Sequence, residues 1–165
     1  MLKRAADQLD SSRARIVQAN LATYEPPTAE FDLVVSLRTL HYVEDLVAVL
    51  RRTRQALAPG GRIIYSHEHP VITSFEAREP DGKRSSWVVD NYFRSGARHV
   101  VFLGRRVIKY HRTLQEHLDT LREAGFRLLR LSECPPARDR FHDDEAEYQR
   151  RLRIPMFLMI EAENP

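Results

Sequence analysis

Apolar positions change their period along this chain, and the changes mark its elements. The run Phe31-Asp32-Leu33-Val34-Val35-Ser36 is almost wholly apolar, as expected of a strand covered on both faces in a parallel sheet. From Asp45 to Leu57, the residues Leu46, Val47, Val49, Leu50 and Leu57 recur at helical spacing. Pro59-Gly60-Gly61 ends that helix, and Arg62 to Ser66 begins the next strand. Strand, helix and strand with short links make a βαβ unit, whose crossover should be right-handed. Upstream, Leu2, Ala5, Ala6 and Leu9 share one face of a helix over residues 1–9. Arg15-Ile16-Val17-Gln18-Ala19 reads as a short strand, and Pro26-Pro27 as a loop.

Residues 67–112 break this rhythm. They carry Phe75, Trp87, Tyr92, Phe93, Phe102 and Tyr110 among many charges, and the stretch is too long for an ordinary loop. It reads as an insertion within one domain spanning residues 1–165, with a hairpin at Val100–Phe102 and Val107–Lys109. Thr113 is placed to cap a helix running to Ala124, with Glu116 as the reciprocal partner of a capping box. Gly125 stops that helix. Phe126 to Ser132 is a strand, residues 135–153 are a polar excursion, and Pro155 to Ala162 is a last buried strand.

Composition narrows the class. The chain has 165 residues, 42% of them hydrophobic, which suits one domain with a real core. A net charge of +3, from 26 basic and 23 acidic residues, makes the sequence pI near 9.2 weak evidence for nucleic acid. The basic clusters Arg51-Arg52-Thr53-Arg54 and Tyr148-Gln149-Arg150-Arg151-Leu152-Arg153 are not built with stacking aromatics interleaved among the charges and read as solvated helix faces. One cysteine, Cys134, excludes an intrachain disulfide. No apolar run approaches a membrane span, and the first residues lack the apolar core of a signal peptide. The expectation is a cytoplasmic protein with no membrane and no nucleic-acid partner.

Ordered motifs then give a more specific resemblance. Leu40-His41-Tyr42-Val43-Glu44-Asp45-Leu46 follows the first apolar strand, and Leu57-Ala58-Pro59-Gly60-Gly61 precedes the second. After that strand come Ser66-His67-Glu68-His69-Pro70, Tyr92-Phe93, His111-Arg112-Thr113 and Pro155-Met156-Phe157-Leu158. In this order the chain resembles a bacterial subfamily of class I S-adenosylmethionine-dependent methyltransferases. The resemblance implies an α/β, Rossmann-like fold, mainly parallel with an antiparallel last strand. It also aligns Met1-Leu2 and Ala5 with an internal helix of that fold. On that alignment the first two strands and the glycine-rich cofactor loop would be absent, leaving an incomplete sheet. None of Gly60, Gly61, Gly82, Gly96, Gly104 and Gly125 sits in a Gly-x-Gly between strand and helix.

The same resemblance implies a site at the carboxyl ends of the strands. S-adenosylmethionine is the implied cofactor, with Asn20 and Leu21 on its adenine side and Ser36 and Leu37 on its methionine and ribose side. Asn20 is equally well read as a turn residue. His41, Glu68 and His69 are the candidate catalytic groups, with Tyr92 and His111 on the substrate side. Each has a structural alternative: a cap for His41, anchorage of the insertion for Glu68-His69-Pro70, aromatic packing for Tyr92 and His111. Alternation puts His67 and His69 on one side of an extended segment and Glu68 on the other. No third ligand accompanies the His-x-His pair, so no metal is expected. The implied activity is methyl transfer to a small-molecule acceptor, with residues 67–112 as a substrate cap. The alternative is a non-catalytic domain used in protein interaction or completed by a partner chain. An exposed sheet edge would also leave homo-oligomerisation open.

Overall fold

The computed structural model describes residues 12, 14–75, 86–102 and 104–165. The helix expected over residues 1–9 lies outside them. Strands β1 (Phe31–Leu37), β2 (Leu57–Glu68), β5 (Arg127–Ser132) and β6 (Phe157–Glu163) form one sheet in the order β1-β2-β6-β5. β1 and β2 are parallel, in a register that sets Val34 beside Ile63 and Leu37 beside Ser66. β6 runs antiparallel to both its neighbours, with Tyr65 and Leu131 opposite Ile160. Only the last strand therefore opposes the common direction, as the resemblance implies.

Helix α1 (Leu46–Ala56) crosses between β1 and β2. Its start is fixed by Asp45, whose side chain accepts the Ala48 N–H at 2.9 Å. Leu46, Val49 and Leu50 of α1 pack with Ile63, Tyr65, Leu158 and Ile160 of the sheet. Helix α3 (Leu114–Glu123) adds Leu121 to the same cluster. Burial of each such side chain contributes about 1.5–3 kcal/mol before the chain's ordering entropy is counted. The capping box of α3 is complete: Thr113 accepts from the Glu116 amide, and Glu116 accepts from the Thr113 amide.

Three expectations change. β1 is not covered on both faces: Leu33, Val35 and Leu37 remain 51%, 54% and 66% exposed. Helix α1 packs against the Val34 face, and the Leu33 and Val35 face is only half covered. The segment Arg15–Ala19 is irregular, with Ile16 and Val17 exposed. A strand requires a partner ladder, and among the described residues no strand pairs with it. The chain turns instead at Asn20, whose carbonyl accepts from the Thr23 and Tyr24 amides. Finally, β2 begins at Leu57, so the Pro59-Gly60-Gly61 turn lies inside it, where the β1–β2 register shifts. Gly60 has φ +76°, which suits glycine there.

That irregular start of β2 is held by Asn164. Its side-chain amide donates to the carbonyls of Leu57 and Ala58 at 3.0 and 3.2 Å, and its backbone exchanges hydrogen bonds with Gly60 and Gly61. Asn164→Ala leaves those inward carbonyls without their donor and is expected to cost about 2 kcal/mol. Urea unfolding checks this through the midpoint at unchanged slope.

The insertion has its own order. A short helix α2 (Pro70–Thr73) follows β2 directly, and β3 (Gly96–Phe102) and β4 (Arg105–His111) form a separate antiparallel hairpin. The hairpin is longer than the expected Val100–Phe102 and Val107–Lys109 pairing. Helix α4 (Glu145–Leu152) lies in the polar excursion. No helix among the described residues is long and apolar enough to cross a membrane.

Candidate active site

The carboxyl ends of β1 and β2 bring together groups from three segments. β1 ends at Leu37, and Arg38 follows with its amide donating to the Ser66 carbonyl at 2.8 Å. Arg38 has φ +52°, the left-handed region that a branched or long side chain rarely occupies. A 3-10 turn over Leu40–Tyr42 then carries His41 into the interior, 5% exposed. Its Nδ1 is buried and has no hydrogen-bond partner in the structure.

Glu68 ends β2, directly opposite Phe157 at the start of β6. Its carboxylate accepts from Lys109 Nζ of β4 at 2.6 Å. The Lys109 side chain is only 9% exposed, and that of Glu68 20%. The ammonium also stands 5.1 Å from the Phe102 ring centre and 6.0 Å from that of Tyr42, within cation–π range. The hairpin is thus pinned to the sheet by a largely dry ion pair with aromatic walls. The Arg38 guanidinium lies 5.7 Å from the Phe157 ring centre, and no carboxylate lies within ion-pair distance of it among the described residues.

Electrostatics keep the imidazoles neutral. Burial lowers His41 from 6.5 to about 4, with Glu68 opposing the shift and Lys109 and Arg38 adding to it. Burial likewise lowers His67 to about 4. The His67 ring stacks on His117 with ring centres 3.9 Å apart. His67 Nδ1–H donates to the Glu68 carbonyl at 2.9 Å, which leaves Nε2 as a buried acceptor with no partner. Burial holds His117 well below the usual imidazole range as well.

Other expected site residues are engaged in the architecture. His67 and His69 are buried on one side and Glu68 lies on the other, as alternation requires. His69 Nδ1 accepts the Val71 N–H at 3.2 Å, capping α2, and Nε2 donates to Glu133 at 3.1 Å. His111 Nε2 donates to the Tyr92 carbonyl at 2.9 Å, and Nδ1 accepts from the Thr73 hydroxyl at 2.7 Å. The Tyr92 hydroxyl accepts the Leu114 N–H at 3.2 Å. Both ring nitrogens of His69 and of His111 are therefore occupied by protein partners, whereas His41 keeps a free one.

Asn20 and Leu21 sit at the turn that precedes β1. Asn20 Oδ1 accepts the Ala22 N–H at 2.9 Å, closing an Asx turn. Leu21 lines an apolar groove of about 320 Å³ with Tyr24, Phe31, Leu33 and Val49, at the opposite end of β1. Ser36 and Leu37 do sit at the carboxyl end, beside Arg38.

Three residues of this cluster escaped the sequence reading: Arg38, Tyr42 and Lys109. Lys109 left a legible trace. Val107, Lys109 and His111 alternate along one face of β4, and that face turns inward, so a lysine stands at a position patterned for the interior. Arg38 left none, because its contacts are with residues distant in sequence.

Comparison with known proteins places this architecture. The family described as "Methyltransferase domain" matches residues 1–63. An S-adenosylmethionine-dependent methyltransferase from Mesorhizobium loti is 32% identical, with a TM-score of 0.88 over 99% of this chain and 75% of its own. A candidate methyltransferase of the same kind from Listeria monocytogenes is 30% identical, with a TM-score of 0.83 over 99% and 75%. An uncharacterised Haemophilus influenzae protein is 27% identical over 144 residues, covering 84% of this chain; the chain spans 56% of that relative's length. The chain belongs to the S-adenosylmethionine-dependent methyltransferase family, whose cofactor is S-adenosylmethionine.

Proposed function

We propose that this chain takes part in methyl transfer from S-adenosylmethionine to a small-molecule acceptor, with the reaction centre at the carboxyl ends of β1 and β2. The observation carrying this reading is the convergence there of a neutral His41 whose buried Nδ1 has no hydrogen-bond partner, the Glu68–Lys109 pair and an Arg38 that meets no carboxylate among the described residues. The residues present fit one side of the cofactor. Leu37, two-thirds exposed, and Ser36 offer an apolar surface and a hydroxyl at the strand end. Bound there, the cofactor would supply a methyl group activated on a sulfonium sulfur.

The protein's own part is positioning and proton handling. His41 Nδ1 is a proton acceptor kept uncharged above about pH 5, suited to an acceptor that starts as a hydroxyl or an amine. Glu68 holds Lys109, and through it the β3–β4 hairpin, over the strand ends. In this reading the described part of residues 67–112 is the cap that keeps water from the acceptor, and residues 76–85 of that span lie outside the described residues. His69, Tyr92 and His111 set the cap's base and edge, and their roles are those of positioning residues.

The test follows S-adenosylhomocysteine production from S-adenosylmethionine with a panel of small phenols, amines and carboxylic acids. Turnover with at least one class is expected. His41→Ala should lower it about 100-fold, in the range typical of lost acid–base assistance. A folded protein that holds its cofactor yet turns over none of the panel while methylating a protein or nucleic acid would contradict the small-molecule reading.

A further inference from the structure

The Glu68 carboxylate is already taken up by Lys109, at 2.6 Å. His41 beside them carries no charge near neutrality. Counting Arg38 and Lys109 against Glu68, the strand-end cluster has one positive charge left over, and it resides on Arg38. That guanidinium lies against the Phe157 ring with its fork unused by any carboxylate among the described residues. Its backbone is held in the left-handed region although glycine would occupy that φ without strain. A non-glycine residue kept in such a conformation at a strand terminus points from strain to use.

Resting on the methyl-transfer reading, we infer that Arg38 is a specificity-determining residue that receives a carboxylate of a bound ligand, with Phe157 as the flat surface that orients its fork. An arginine fork matches a carboxylate through two parallel N–H donors, which a lysine cannot reproduce. Two sources of that carboxylate are chemically equivalent here. One is the amino-acid end of the cofactor, and the other is an acidic methyl acceptor.

Calorimetric titration of the full chain separates them, using S-adenosylhomocysteine, 5′-methylthioadenosine (the same nucleoside thioether without the amino-acid end), benzoate and benzamide. If Arg38 receives the cofactor's carboxylate, Arg38→Gln weakens S-adenosylhomocysteine about 10- to 100-fold and leaves 5′-methylthioadenosine unchanged, the range for a hydrogen bond to a charged group. If it receives the acceptor's, both nucleosides bind as before. The preference for benzoate over benzamide is then lost by the same factor, and Arg38→Lys restores only part of it. Arg38→Gly controls for folding. It relieves the left-handed strain and should raise the melting temperature by about 2–4 °C while losing the carboxylate preference. A variant set in which Arg38→Gln alters neither preference overturns the assignment. Failure of the methyl-transfer reading looks different: neither nucleoside binds the wild type, while the benzoate preference still reports on Arg38.

Discussion

Between pH 6.5 and pH 4 the fold is expected to lose about 5 kcal/mol of stability. His41 and His67 both sit at about 4 in the folded protein against 6.5 in ordinary surroundings, and burial is the main cause in each. Above pH 6.5 both states of the chain hold these imidazoles neutral, so they contribute no pH dependence. As pH falls below 6.5 the unfolded chain takes up protons that the folded chain refuses, and stability declines until the folded pKa is reached. A shift of that size corresponds to about 3 kcal/mol per group. Together the two groups come to about 5–6 kcal/mol. The loss compares with the ~5–15 kcal/mol that holds most domains together. Urea midpoints measured from pH 7.5 down to 4 check it. His67→Phe keeps a ring against His117 and removes one titrating group, so it should make the slope shallower. A midpoint that stays level between pH 6.5 and 4.5 would mean these imidazoles are hydrated and free to charge.

Glu68→Ala is expected to be the most damaging single substitution in the site. It strands the Lys109 ammonium, whose side chain is 9% exposed, beside Phe102 and Tyr42 with no carboxylate. Removing one partner of a buried ion pair costs about 3–5 kcal/mol, and the partial exposure of Glu68 places this case near the lower figure. Because Lys109 is the charged tie between β4 and β2, the hairpin should also lose its fixed seat over the strand ends, and methyl transfer should fall about 100-fold or more. The double variant Glu68→Leu with Lys109→Met separates the two effects. It replaces the pair with apolar contact and should recover most of the stability, as buried pairs exchanged for hydrophobes often do. Activity should stay low. Recovery of both would mean that the pair serves packing alone. Thermal unfolding and S-adenosylhomocysteine production, measured on the same preparations, supply both readouts.

Much of this architecture is legible in the sequence, because its signals are local. Helical spacing from Leu46 to Leu57 and the Thr113–Glu116 box each depend on residues within a turn or two of one another. The hairpin is legible from alternation in Val107–Lys109, and the alternate faces of His67, Glu68 and His69 from the same rule. What is not legible depends on distant partners. The apolar run Phe31–Ser36 reads as covered on both faces because its composition cannot say which neighbours are present, and Leu33, Val35 and Leu37 are open. Arg15–Ala19 has strand composition without a ladder to join. The Glu68–Lys109 pair spans 41 positions, and the His67–His117 stack joins β2 to α3. No period in the sequence announces either. Asn20 illustrates a tie that the structure informs: its side-chain oxygen is engaged in its own turn.

The most direct test of the central claim is calorimetric titration of the folded chain with S-adenosylhomocysteine, run beside Leu37→Asp. Leu37 is open to solvent at the end of β1, so the substitution should leave the fold intact while placing a charge on the surface assigned to the cofactor. One-to-one binding in the micromolar range, weakened at least tenfold by Leu37→Asp, is the expected result. A folded chain that takes up no S-adenosylhomocysteine, or one whose affinity ignores Leu37→Asp, would contradict a methyl-transfer centre at the carboxyl ends of β1 and β2.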